Sequence, residues 1–177
     1  LTATLGGTYR DFAAGEDADP AFVVPSDHFI TRAEGRLSWD LAGWSATGSF
    51  SWNLRSRWDP WGYPGNPEWD AGKDEFRLFS ASLAKTFELP RFQRIDASAS
   101  YLGTSNADRF SKIQFGFFGG ASLRGFRSGS LRAEEAVTAK VAWGVVVGKL
   151  FRLQALYDHA VVKDPAAGLD WANFGGA

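Results

Sequence analysis

The chain has 177 residues, enough for one domain with a sizeable core. Its formal net charge is −1 and it has no cysteine, so no nucleic-acid partner is suggested, and there is neither a disulfide framework nor a thiolate metal site. No apolar run reaches the roughly 18 residues of a transmembrane helix, whereas eight Trp, 15 Phe and 20 Gly among alternating Ser, Thr and charged residues suggest a membrane β-barrel.

Successive side chains of a strand point to opposite faces, so strict alternation marks a strand with two unlike walls. In the first segment Leu1, Ala3, Leu5 and Tyr9 oppose Thr2, Thr4, Thr8 and Arg10. In the second, Phe29, Ala33, Leu37, Trp39 and Leu41 oppose Arg32, Glu34, Arg36, Ser38 and Asp40. The third, WSATGSFSWNLRSRW, is the clearest. Trp44, Ala46, Gly48, Phe50, Trp52, Leu54 and Trp58 share one parity, against Ser45, Thr47, Ser49, Ser51, Asn53, Arg55 and Arg57. This predicts a strand over 44–58, longer than the usual soluble strand of roughly 5–6 residues. Further strands follow at 79–89, 95–101, 137–147 and 151–161, and an eighth starts near Trp171. The chain carries no methionine, opens inside one strand and ends just after another begins. It therefore reads as a single barrel segment, 1–177, truncated at both ends.

Connection lengths alternate as well. Short turns fall at Ala42-Gly43, 90–93 and 148–150, and long loops at 13–27, 59–74 and 105–131. Short turns at one end and long loops at the other are the outer-membrane arrangement, periplasmic and extracellular respectively. The Pro, Gly, Asp and Trp of WDPWGYPGNPEWD predict ordered caps. The apolar wall is assigned to lipid, with Trp44, Phe50, Trp52, Trp58 and Trp143 as an aromatic girdle. The opposite wall carries Arg10, Arg32, Glu34, Arg36, Asp40, Arg55, Arg57, Asp96, Lys140, Arg152 and Asp158, which suits a wet lumen. A soluble barrel of lipocalin type would reverse the two walls.

No catalytic set stands out. His28 and His159 are the only histidines, and Asp158 points to the opposite face from His159, so it cannot orient that ring. No His/Asp/Glu cluster has metal spacing, and the acidic stretch GEDADP suits a hydrated loop better than a calcium site. No cofactor is expected.

The longest loop holds GGASLRGF, Gly119 to Phe126. It resembles the (V/I/L)RG(F/Y) signature of the BamA, TamA and FhaC superfamily of outer-membrane insertases and translocases. The stretch LYDHAVV, Leu156 to Val162, resembles that family's F-x-D-x-G-x-V strand, with Leu156 for Phe and Ala160 for Gly. Where the family often has a second acid, this chain has Lys140, with Glu134 earlier.

The resemblance implies a multi-pass outer-membrane barrel of sixteen antiparallel strands, of which seven to eight are present. The Leu123-Arg124-Gly125-Phe126 loop, preceded by Gly119 and Gly120, would fold into the lumen, where Arg124 meets Asp158. A guanidinium cannot in practice lose its proton and presents a planar donor fork, so a half-enclosed lumen tolerates it only beside a carboxylate. The implied function is assisting insertion or translocation of other outer-membrane proteins, without catalysis. Implied partners are lipopolysaccharide and phospholipid, client barrels, and accessory lipoproteins or periplasmic domains. The alternative is a passive channel, or a barrel anchoring an attached passenger domain.

Overall fold

Alternating aromatic and small residues along both walls favour extended backbone, and the chain is all-β. The computed structural model describes residues 1–15, 19–66, 68–116, 121–124, 126–127, 129–147 and 151–176. Among the described residues ten strands run β1 (Thr2–Arg10), β2 (His28–Leu41), β3 (Trp44–Arg55), β4 (Glu75–Leu89), β5 (Gln93–Ser105), β6 (Ile113–Phe115), β7 (Leu131–Ala133), β8 (Glu135–Val147), β9 (Phe151–Asp164) and β10 (Leu169–Gly176). Eight of them form one antiparallel meander, ordered β1-β2-β3-β4-β5-β8-β9-β10. The sheet is open, with β1 and β10 at its edges. β6 and β7 pair with each other inside the long β5–β8 connection.

At one end of the sheet the strands turn tightly. Ala42 and Gly43 both take positive φ, 50° and 75°, as a two-residue turn matched to strand twist requires. The expected turn at 148–150 lies outside the described residues. At the other end stand the three long loops. The last connection on that end is short, a 3-10 turn at Pro165–Ala167 closed by Gly168 at φ 71°.

Solvent exposure runs opposite to that of an ordinary soluble protein. Leu5, Trp39, Phe50, Leu83, Trp143 and Leu153 are exposed on one face of the sheet, while Ser51, Asn53, Arg55, Thr138, Asp158 and Asp164 are buried on the other. The connection between β5 and β8 provides the cover. Its Phe115, Ala121, Leu123, Leu131 and Ala133 form an apolar core with Ala136 of β8 and Ala160 and Val162 of β9. Burying Leu123 contributes about 1.5–3 kcal/mol to holding the loop down. The cover reaches only the long-loop half of the polar face; Arg36 and Asp40, near the tight turns, are exposed.

Several expectations need correction. The strand expected over 44–58 stops at Arg55, because the Arg55 guanidinium is drawn under the loops. Trp58 is therefore not on the outward wall with Trp44, Phe50, Trp52 and Trp143. Its ring turns back to lie over Arg55, 4.3 Å from the guanidinium carbon, and its indole N–H donates to the Asp70 carbonyl. Arg57 also leaves the sheet and pairs with Asp59. β4, β5, β8 and β9 extend further toward the long loops than alternation foretold.

Candidate functional site

Three ionic contacts fix the β5–β8 connection to the polar face. Nearest its start, Asp108 accepts from Arg55, the last residue of β3, in a pair whose side chains are 0% and 1% exposed. Arg55 also donates to Ser111 Oγ at 2.8 Å and to the Lys73 carbonyl, and its guanidinium stacks over Trp58 and Phe76. Ser111 Oγ is reached as well by Arg10 of β1, at 3.1 Å. One serine and one aspartate thus collect cations from two strands.

The next residue, Lys112, turns the other way. Its ammonium lies 2.7 Å from Asp164, the last residue of β9, and 3.2 Å from Glu134. Burial pulls this ammonium toward its neutral form, but Asp164 and Glu134 more than offset that and hold its pKa above the ordinary lysine value.

The third contact joins Arg124 and Asp158. Arg124 donates through Nη1 to Asp158 Oδ1 at 2.6 Å and through its backbone N–H to Oδ2 at 3.2 Å. The carboxylate is 1% exposed and the guanidinium 42% exposed. Asp158 is aimed inward by strand parity, between the apolar Ala160 and the mouth of the covered region. Lys140 stands opposite Asp158 across the β8–β9 ladder and donates to Ser122. Leu123 is buried beside the arginine, and Phe126 meets Phe174 of β10 edge-on at 5.7 Å. The end of β10 passes so close that a methyl group on Gly176 would overlap the Arg124 carbonyl oxygen. Gly119, Gly120 and Gly125 lie outside the described residues.

No family model, curated protein or solved structure matches the chain. Function must therefore be argued from the site itself.

The three contacts hold a segment in place; they do not assemble a nucleophile, base and acceptor. His159 points away from Asp158 and contacts Asn173 at 3.3 Å, stacked on Tyr157. Among the described residues, no group of three or more His, Cys, Asp or Glu is placed to hold a metal ion. Between the loop and the sheet lies a cleft of about 530 Å³, lined by Arg10, Arg32, Glu34, Ser49, Ser51 and Ser80 among others. Its charges and hydroxyls share the walls with Phe76, Leu78, Phe79, Leu102, Phe110 and Ile113, so the cleft is mixed in character.

Sequence reasoning missed Arg55–Asp108 and Lys112–Asp164 as pairs. Parity puts Arg55 and Asp164 on the polar face, but Asp108 and Lys112 sit in a loop with no period. The one available signal was that Asp108 and Lys112 are charged residues flanking Phe110 and Ile113, which only an inward-folded loop would bury.

Proposed function

We propose that this chain is part of an outer-membrane β-barrel whose long loop is folded into the lumen, and that the barrel assists insertion or translocation of other outer-membrane proteins. The observation that carries the membrane reading is the distribution of charge on the apolar face. On β4 the outward residues Phe79, Ala81 and Leu83 lie between Arg77 and Lys85, eight strand steps apart, or about 26 Å along the strand. At the roughly 35–45° tilt of membrane strands this covers roughly 20 Å of height, most of the roughly 25 Å apolar band of membrane barrels. At the loop end the outward charges are paired: Arg77 with Glu75 at 2.7 Å, and Lys163 with Glu135 at 3.0 Å. At the turn end the Lys85 ammonium lies 5.0 Å and 5.7 Å from the ring centres of Trp44 and Phe87 and donates to the Ala42 carbonyl at 2.7 Å. A lysine that ends the apolar face, its ammonium held by aromatic rings and a turn carbonyl, suits a residue at a bilayer boundary.

The insertase reading rests on the LRGF loop and on Arg124 meeting Asp158 inside the covered face. In this role the pair positions the loop and transforms nothing. Reconstituting the product of the complete gene into lipid vesicles and following the folding of an unfolded client barrel tests it. Faster client folding, reduced by Arg124→Ala, supports the proposal. Ion conductance without any effect on client folding would favour the passive-channel reading, which the charged residues Arg10, Arg32 and Glu34 of the 530 Å³ cleft support.

A further inference from the structure

Above the anchored loop, on the long-loop end, is a second cleft of about 690 Å³, within the usual size of small-molecule sites. We infer that it binds a saccharide. Its walls come from four different connections, the fourth being the β9–β10 turn with Ala166. Phe22 belongs to the β1–β2 loop, Trp61, Tyr63 and Glu68 to the β3–β4 loop, and Arg109 to the β5–β8 loop.

The cleft is built, not incidental. A two-way backbone bridge joins the first two loops, Val23 N–H to the Gly62 carbonyl at 3.0 Å and Gly62 N–H to the Val23 carbonyl at 2.8 Å. Gly62 holds φ at 86°, and any side chain there would press on the Asn66 amide. That amide donates to the Trp61 carbonyl at 3.0 Å, and its oxygen takes the Glu68 N–H at 3.0 Å. Tyr63 stands edge-on to Phe22 at 5.4 Å, and its hydroxyl donates to Asp19 at 3.2 Å. Behind the cleft Trp61 packs on Phe110, 5.1 Å between ring centres. Such a site loses little freedom when a ligand enters.

Chemistry selects the ligand class. Trp61 is 5% exposed, and its indole N–H has no acceptor among the described residues, although a buried donor is normally paired. Tyr63 presents half of its surface to solvent. Glu68 and Arg109 place an acceptor and a donor fork on the same cleft. A purely apolar ligand would leave the indole N–H, the carboxylate and the guanidinium unanswered. A simple anion could meet Lys73, Arg109 and Lys112, but it would offer Glu68 and Glu134 no donor and would make no use of the rings. A sugar answers both demands, because its C–H face lies on an aromatic ring while its hydroxyls both donate and accept. The same chemistry serves a free glycan and the head of a glycolipid.

The test uses the full chain folded in detergent micelles and follows binding by calorimetry. The probes are maltotetraose, tetragalacturonate, intact lipopolysaccharide and its delipidated core oligosaccharide. At least one lipid-free saccharide should bind saturably. Tyr63→Ala, which leaves the Val23–Gly62 backbone bridge in place, should weaken that binding about tenfold by removing the stacking surface. Trp61→Phe, which keeps a six-membered aromatic ring against Phe110 but deletes the pyrrole half with its N–H, should weaken it roughly fivefold or more. Three results would overturn the assignment. They are no binding of any lipid-free saccharide at millimolar concentration, binding that neither substitution changes, and binding of intact lipopolysaccharide only.

Discussion

Arg55 and Arg124 make the same kind of bond in different surroundings, and burial decides how much each matters. Arg55 and Asp108 are both sealed from water, so removing either one strands a buried charge. Asp108→Ala should cost about 3–5 kcal/mol, measured by denaturant unfolding in detergent. Arg124 is open to solvent on one side, which places its coupling to Asp158 lower, near 1–2 kcal/mol. The two substitutions Arg124→Ala and Asp158→Ala should not add, and lysine at 124 should restore little because it lacks the planar fork. A double-mutant cycle that shows full additivity would mean the contact contributes nothing to stability. Gly176 offers an independent handle on the same contact. Gly176→Ala should push the Arg124 backbone off Asp158 and open the loop to external protease. Gly175→Ala should not, since the nearest atom to a methyl group there is 3.5 Å away.

For a whole strand, the question is which wall meets lipid. Trp52→Arg or Phe50→Arg on β3 should cost roughly 2–4 kcal/mol when the barrel is folded into a bilayer. Ser49→Arg should cost much less, because Ser49 borders the polar cleft and an arginine has room there. Equal costs on the two parities, in reversible folding into lipid, would reject the assignment. How far the elements were legible follows from the same alternation. The middle of every long strand was readable, because the aromatic residues there take one parity and the Ser, Thr and charged residues mostly the other. Strand ends toward the loops were not. There Glu75, Arg77, Glu135 and Lys163 occupy the outward face and break the pattern while the ladder continues. β6 and β7, of three residues each, are too short to show any period. Asp158 was readable as inward-facing because it sits mid-strand. Asp108 was not, because its partner is 53 residues away and nothing local demands it.

Taken as one body, the molecule has a bare apolar face and two strand edges, β1 and β10, with hydrogen-bonding groups free to pair. Both features promote association in water. The chain should aggregate on removal of detergent and run as a dispersed species in its presence, as size-exclusion chromatography with light scattering would show. A monodisperse chain in plain buffer would count against the membrane reading.

Ser111 and Lys112 are neighbours, only about 3.8 Å apart at their Cα atoms. Yet Ser111 is tied to Arg10 on the first strand of the sheet and Lys112 to Asp164 on the seventh. Laid flat, those strands would be six steps of about 4.8 Å apart, roughly 29 Å, before any stagger between them. Two adjacent residues with outstretched partners do not comfortably span that width. The arc must therefore be longer than the chord, and the sheet must curl toward the face that carries the loop. The loop is then a tie-rod as well as a cover. Flattening the sheet strains the bonds at Ser111 and Lys112, and cutting those bonds lets the sheet relax outward. Curvature and loop docking form one mechanical variable.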